Sequence, residues 1–201
     1  FRLFFKASYG SSRLDFEPFA GTADAAAKFE QMVLKTNGNR QWLWNDRDQR
    51  RETDYANDET ARRLFLLMGG ISARGTYAHL YVNGLYWGVY NLTERVNERH
   101  IANYLGSKDS DWAVIDADDD LETSPPDSDD PATLAAWHGL LSKLAGDAPV
   151  SDTTYQSVKA DVDLENLADY FIHAHYIGKT DWPYHNWNAY RRKSGDTRFR
   201  F

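Results

Sequence analysis

Apolar residues recur along the chain in two patterns, and the change from one to the other divides it. In the first part they come in short runs of strand type, FRLFFK at 1–6 and QMVLKT at 31–36, linked by a stretch containing Tyr9, Gly10 and Pro18. The most distinct run is YAHLYVNGLYWGVYNL, residues 77–92. Its two aromatic and β-branched halves flank Asn83-Gly84, a pair that accepts the positive φ needed at both central positions of a two-residue turn. A β-hairpin is predicted there. DETARRLFLLM predicts a helix over 58–68, with Asp58 as its N-cap and Gly69-Gly70 as its stop. NERHIANYLG predicts a short helix ending at Gly106.

Residues 116–131, DADDDLETSPPDSDDP, break the pattern with an acidic, proline-containing segment. Beyond it the spacing is helical: PATLAAWHGLLSKL, TTYQSVKADV and DLENLADYFIHAHYIG follow in turn. In the last, Leu164, Leu167, Phe171, Ala174 and Gly178 share one helical face. Two candidate strands close the chain, WNAYRR and TRFRF, joined by a turn at Lys193-Ser194-Gly195-Asp196. The fold class is therefore α+β. Residues 1–115 form a strand-rich N-terminal lobe, 116–131 a linker, and 132–201 a helical C-terminal lobe. The chain starts and stops inside strand-like segments, so both ends are expected to continue into a longer protein with flanking domains.

Composition narrows the class. At 201 residues, with 42% hydrophobic and 14% aromatic content, the chain can bury one sizeable core or two small ones. A net charge of −7 and a pI of about 5.3 argue against nucleic acid or an anionic membrane surface as partner. No apolar run approaches the roughly 20 residues that span a bilayer. With no cysteine, disulfides, thiolate catalysis and cysteine-held zinc are excluded.

The chemistry concentrates in residues 181–186, DWPYHN, a composition that suits neither helix nor strand. Asp181 and Asn186 stand at the D-x-x-x-x-N spacing of the protein-kinase catalytic loop, where the aspartate orients the attacking hydroxyl and the asparagine holds magnesium. The bland alternatives are a loop aspartate capping nearby amides and a turn asparagine. Trp187 reads as a support residue, and His185 as a hydrogen-bonding neighbour of the loop. His173 and His175, two apart on a helix, do not share a face and make no metal pair. Asp116, Asp118 and Asp120 imitate the start of a calcium loop, but Leu121 stands where the turn needs glycine and Asp127 where glutamate closes the site. A solvated acidic loop fits better.

NGLYWGVYNLTER and DWPYHNW, with FRLFFKASYG, NDRDQRRETDYANDETARRLFLLMG and LENLADYFIHAHYIGKTDWP, resemble the CotH family of secreted and spore-coat kinases. The resemblance implies an atypical, two-lobed protein-kinase-like fold. It also implies ATP- and magnesium-dependent phosphorylation (with manganese the other candidate metal) of serine or threonine in secreted or coat proteins, outside the cell or on its coat. Carried over, Asp181 is the catalytic aspartate within a loop spanning 179–187, and Asn186 the metal or phosphate residue. Glu94 and Lys6 are candidates at the nucleotide. A second metal-binding aspartate is expected a few residues past Phe201, so the chain would be truncated at its C-terminus and inactive without it. The rival readings are a nucleotide-binding pseudokinase, a non-enzymatic surface interaction module and, last, a carbohydrate-binding module suggested by the Trp and Tyr content.

Overall fold

The computed structural model describes residues 1–19, 25–36, 45–51, 54–117, 128–146, 149–179 and 186–201. It is an α+β molecule made of two compact units, Phe1–Leu67 with Ser72–Arg95, and Met68–Ile71 with Val96–Phe201.

The first unit is built on a four-stranded antiparallel sheet. Its strands β1 (Arg2–Phe4), β4 (Gln31–Lys35), β5 (Gly75–Val82) and β6 (Leu85–Glu94) lie in the order β1-β4-β6-β5. A small ribbon, β2 (Leu14–Asp15) with β3 (Lys28–Phe29), accompanies it. The predicted hairpin is present: Asn83 at φ 51° and Gly84 at φ 79° turn β5 into β6. A register shift at Leu80/Tyr81 interrupts the ladder near this turn, where Tyr81, Tyr86 and Trp87 stand exposed. These aromatics lie outside the core.

Alternation along β4 and β6 sends Met32 and Leu92 into a core with Phe19 and Phe29. It sends Lys35 and Asn91 toward helix α2 (Asn57–Leu67), which follows the short helix α1 (Arg47–Arg51), and Gly75 of β5 lies against the same helix. There Arg62 bonds Glu59 at 2.6 Å, Asn91 at 2.6 Å and Asp58 at 2.8 Å, and Lys35 reaches Asp58 at 3.2 Å. Gly75 permits this approach, because any Cβ there would collide with the Glu59 carboxylate.

Asp58 is not the N-cap. The first helical bond runs from Thr60 N–H to the Ala56 carbonyl, which places Asp58 inside the first turn, held by Arg62 and Lys35. Gly69, at φ 88°, ends the helix as expected.

The second unit contains helix α3 (Glu98–Leu105), a 3-10 turn over Asp109–Asp111, strand β7 (Trp112–Ala117), helices α4 (Pro131–Leu144), α5 (Asp152–Asp161) and α6 (Leu164–Tyr176), and strand β8 (Trp187–Arg192). Each of the four helices starts at a side chain that accepts the amide three residues on: Asn97, Asp130, Ser151 and Asp163. β7 and β8 pair antiparallel from Trp112↔Arg192 to Ala117↔Trp187. Both faces of this ribbon are covered. Ile115, Ala117, Trp187 and Ala189 join Trp137, Leu140, Val162 and Phe199, while Trp112, Val114 and Tyr190 join Ile101.

Residues 96–115, which composition groups with the strand-rich first half, fall in this second unit, where β7 pairs with β8. Of the acidic segment, residues 118–127 lie outside the described residues; its ends are the close of β7 and the Asp130 cap. The predicted TRFRF strand is reduced to isolated bridges. Arg200 exchanges both backbone bonds with Tyr190, at 2.8 and 2.9 Å, and Phe199 pairs with Val162. The arginines beside it turn to carboxylates, Arg198 to Asp196 and Arg200 to Asp163 and Asp196. At the other end, the strand expected over 1–6 is confined to Arg2–Phe4.

Candidate functional site

Helix α6 leads into the candidate loop. Leu164, Leu167, Phe171 and Ala174 are its inward positions, and His173 is buried while His175 is exposed, as their two-residue separation requires. The helix ends in a Schellman motif. Gly178, at φ 65°, donates to the His175 carbonyl at 3.1 Å, and Lys179 donates to the Ala174 carbonyl at 3.0 Å. Gly178 is thus the left-handed stop of α6 and not part of its packed face. The motif satisfies carbonyls that the helix would leave open and ends α6 at Gly178.

Asp181 lies outside the described residues, as do Trp182, Tyr184 and His185. The description resumes at Asn186, which is exposed and sits at φ 65°, a left-handed conformation that asparagine tolerates better than most residues. Both of its backbone groups are held. Its N–H donates to the Ala117 carbonyl at the end of β7, at 2.6 Å, and its carbonyl accepts from Lys179 Nζ, also at 2.6 Å. The next residue, Trp187, is buried with its ring centroid 5.3 Å from that of Trp137 and 6.1 Å from that of Phe201. That is the support role its sequence position suggested. Asn186 therefore stands at a fixed junction, with a hard oxygen donor on its side chain of the kind magnesium takes. Among the described residues no three His, Cys, Asp or Glu side chains gather as a metal site.

The other two candidates lie in the first unit. Glu94 ends β6 and is 4% exposed, so it is not an exposed charge at the strand end. Its carboxylate accepts the Arg74 backbone N–H at 2.9 Å and lies 3.9 Å from the Arg74 guanidinium; Arg74 itself is buried. Its cationic neighbour is thus an arginine on the strand approach to β5. Lys6 is exposed, with Nζ 5.9 Å from the centroid of the Phe4 ring. It lines a shallow, open hollow of about 310 Å³ with Phe5, Tyr9 and Arg13.

Two features escaped the sequence reading. Lys179 is one, although a lysine directly after a helix-ending glycine and two residues before the aspartate is visible in GKTD. The other is the ionic network on α2, of which Arg62, Glu59 and Asn91 are buried. For Asp58, burial alone would raise the carboxyl, but the charges and hydrogen bonds of Lys35 and Arg62 together hold it below its usual range. For Glu59, burial again opposes ionisation and is outweighed by hydrogen bonds from Arg63, Arg62 and Asn91. These groups stay charged because each carboxylate is matched by a donor.

A family model described as CotH kinase protein matches residues 37–201, most of the chain and the whole of the candidate loop. No curated protein matches the chain.

Proposed function

The chain belongs to the CotH kinase family, and from that premise we propose that it transfers the terminal phosphoryl group of ATP, with magnesium or manganese, to serine or threonine hydroxyls of secreted or coat proteins. The observation that carries this reading is the family match over residues 37–201, which includes both members of the D-x-x-x-x-N pair. In this reading Asp181 orients the acceptor hydroxyl and receives its proton, and Asn186 supplies an amide oxygen to the metal. Phosphoryl transfer passes through a loose transition state, so the protein's task is mostly positioning and charge neutralisation. The rigid mounting of Asn186 between β7 and the end of α6 suits that task. A magnesium or manganese ion held there by Asn186 would supply positive charge to offset the charge that develops on the phosphate. Spore-coat or other extracellular proteins are the acceptors in keeping with the family.

Glu94 and Lys6 are carried over from the resemblance alone as candidates for the nucleotide, and of the two only Glu94 lies within the matched residues 37–201. The test is incubation of the intact protein with γ-labelled ATP, magnesium and coat or secreted acceptor proteins. Label on serine or threonine that disappears in Asp181→Ala supports the reading. Binding of ATP with no transfer makes the protein a pseudokinase instead.

A further inference from the structure

We propose that the outer end of the β5–β6 hairpin is a binding site for a neutral polysaccharide chain. The site lies wholly within the first unit and is independent of the kinase reading.

The ladder defines it. Tyr77↔Asn91, His79↔Val89 and Tyr81↔Tyr86 are opposed pairs, and opposed side chains share a face of the sheet. Helix α2 and the turn before it take the inner end of that face, where Arg62 bonds Asn91 and the Tyr77 hydroxyl donates to the Tyr55 carbonyl. At the outer end Tyr86 lies beside His79 and Tyr81, with ring centroids 5.6 and 5.3 Å away. Tyr81 and Tyr86 are 62% and 54% exposed, so most of each ring is open to a ligand. The register shift adds Trp87, also largely exposed, as the extra residue between Tyr86 and Gly88.

Two observations indicate the ligand. The first is charge. Residues 75–92 hold no Asp, Glu, Lys or Arg, in a chain where these make up 26%. Stacked nucleic acid needs cations beside the rings, and an ionic peptide or headgroup needs a charge of either sign; the hairpin supplies neither. The second is the polar tips of the rings. His79 Nδ1 lies 3.1 Å from the Tyr86 hydroxyl, and the Tyr81 hydroxyl and Trp87 indole N–H belong to the same exposed end. A purely apolar partner would bury these groups without hydrogen bonds, at a cost. A sugar chain answers both. The C–H face of a pyranose carries slight positive charge that meets the negative face of an aromatic ring, and its hydroxyls bond the polar tips. The ring planes are tilted by 45° and 53°, so they suit a single twisting chain better than a flat crystalline surface.

The test is calorimetric titration of the intact protein with cellohexaose and with chitohexaose, joined to electrophoresis through gels containing hydroxyethyl cellulose. Saturable binding of at least one hexasaccharide is expected. Tyr81→Ala, Tyr86→Ala and Trp87→Ala should each weaken it about tenfold, the scale of one aromatic contact. Tyr86→Phe, which keeps the ring and loses the hydroxyl, should fall between Tyr86→Ala and the unsubstituted protein. Tyr176→Ala, which removes an exposed tyrosine from α6, should change nothing. The substituted side chains are exposed, so thermal melts of the variants should match that of the unsubstituted protein. Failure to bind either sugar overturns the proposal, as does equal binding by the three alanine variants. Self-association, or binding to phosphatidylcholine vesicles, that those variants abolish in place of sugar binding also overturns it, by giving the patch to a second copy or to lipid. No phosphate-transfer assay enters the test, so failure of the sugar site and failure of the kinase reading are separate results.

Discussion

Asn186 combines two demands that substitutions can separate. Its φ of 65° favours glycine or asparagine, while its proposed chemistry needs an amide oxygen. Asn186→Gly should therefore keep the melting temperature within a degree or two while raising the magnesium requirement. Asn186→Ala should lose about 1–2 kcal/mol of stability as well, the cost of a left-handed conformation for a residue with a Cβ. Thermal melts and magnesium titrations of the two variants check this pair of outcomes. Single residues were legible in the sequence where the chemistry is local. Asn83-Gly84 announces its turn and Gly106 its helix stop, because both positions require positive φ and the reason lies within a few bonds. Glu94 was not legible. Its burial against Arg74 depends on how the start of β5 is laid along the end of β6, and no neighbour in LTER reports that.

At the scale of elements, α2 is held on its sheet by an ionic network as well as by apolar packing. Arg62 and Glu59 have side chains only 10% and 7% exposed, so Arg62→Ala would leave the buried Glu59 carboxylate with Arg63 and Asn91 alone as donors. Its expected cost is about 1–3 kcal/mol, read as a lower urea midpoint at pH 7. The same network sets a pH dependence. Asp58 and Glu59 both titrate lower in the folded protein than in the unfolded chain. At acid pH the unfolded chain therefore binds more protons, and stability rises with pH. The network's contribution is complete above the ordinary carboxylate pKa of about 4 and is lost as pH falls through the folded values. Urea midpoints measured from neutral pH down to pH 3 should fall more steeply for the unsubstituted protein than for Arg62→Ala. The β7–β8 ribbon makes the complementary case. Phe199 is 1% exposed and packs on Trp137 at a centroid distance of 5.2 Å, so Phe199→Ala should cost about 3–5 kcal/mol. The partner of β8 was hard to read because it is distant in sequence. WAVI is a short apolar run with both faces covered, so it lacks the alternation that marked the hairpin. TRFRF has alternation and yet forms only bridges, since its arginines bind Asp163 and Asp196.

Across the whole molecule, the broad class was legible and the division of the chain was not. The switch from strand-like to helical spacing identifies an α+β protein, but the compact units part at Arg95/Val96, whereas the change of composition comes at 116–131. Composition reports what kind of element a segment forms; the unit it joins is decided by a partner strand some seventy residues away. The candidate site shows the same limit. The spacing of Asp181 and Asn186 marks the loop, while the mounting of Asn186 on Ala117 and Lys179 comes from tertiary structure. That mounting, and the family match, make metal-assisted phosphoryl transfer at this loop the central claim. Its most direct test is the initial rate of phosphoryl transfer from ATP as a function of magnesium concentration, compared for the intact protein, Asp181→Ala and Asn186→Ala. The expected result is a loss of about 10²–10⁴-fold at every magnesium concentration for Asp181→Ala, and for Asn186→Ala a deficit that high magnesium partly restores. Three superimposable curves would contradict the account.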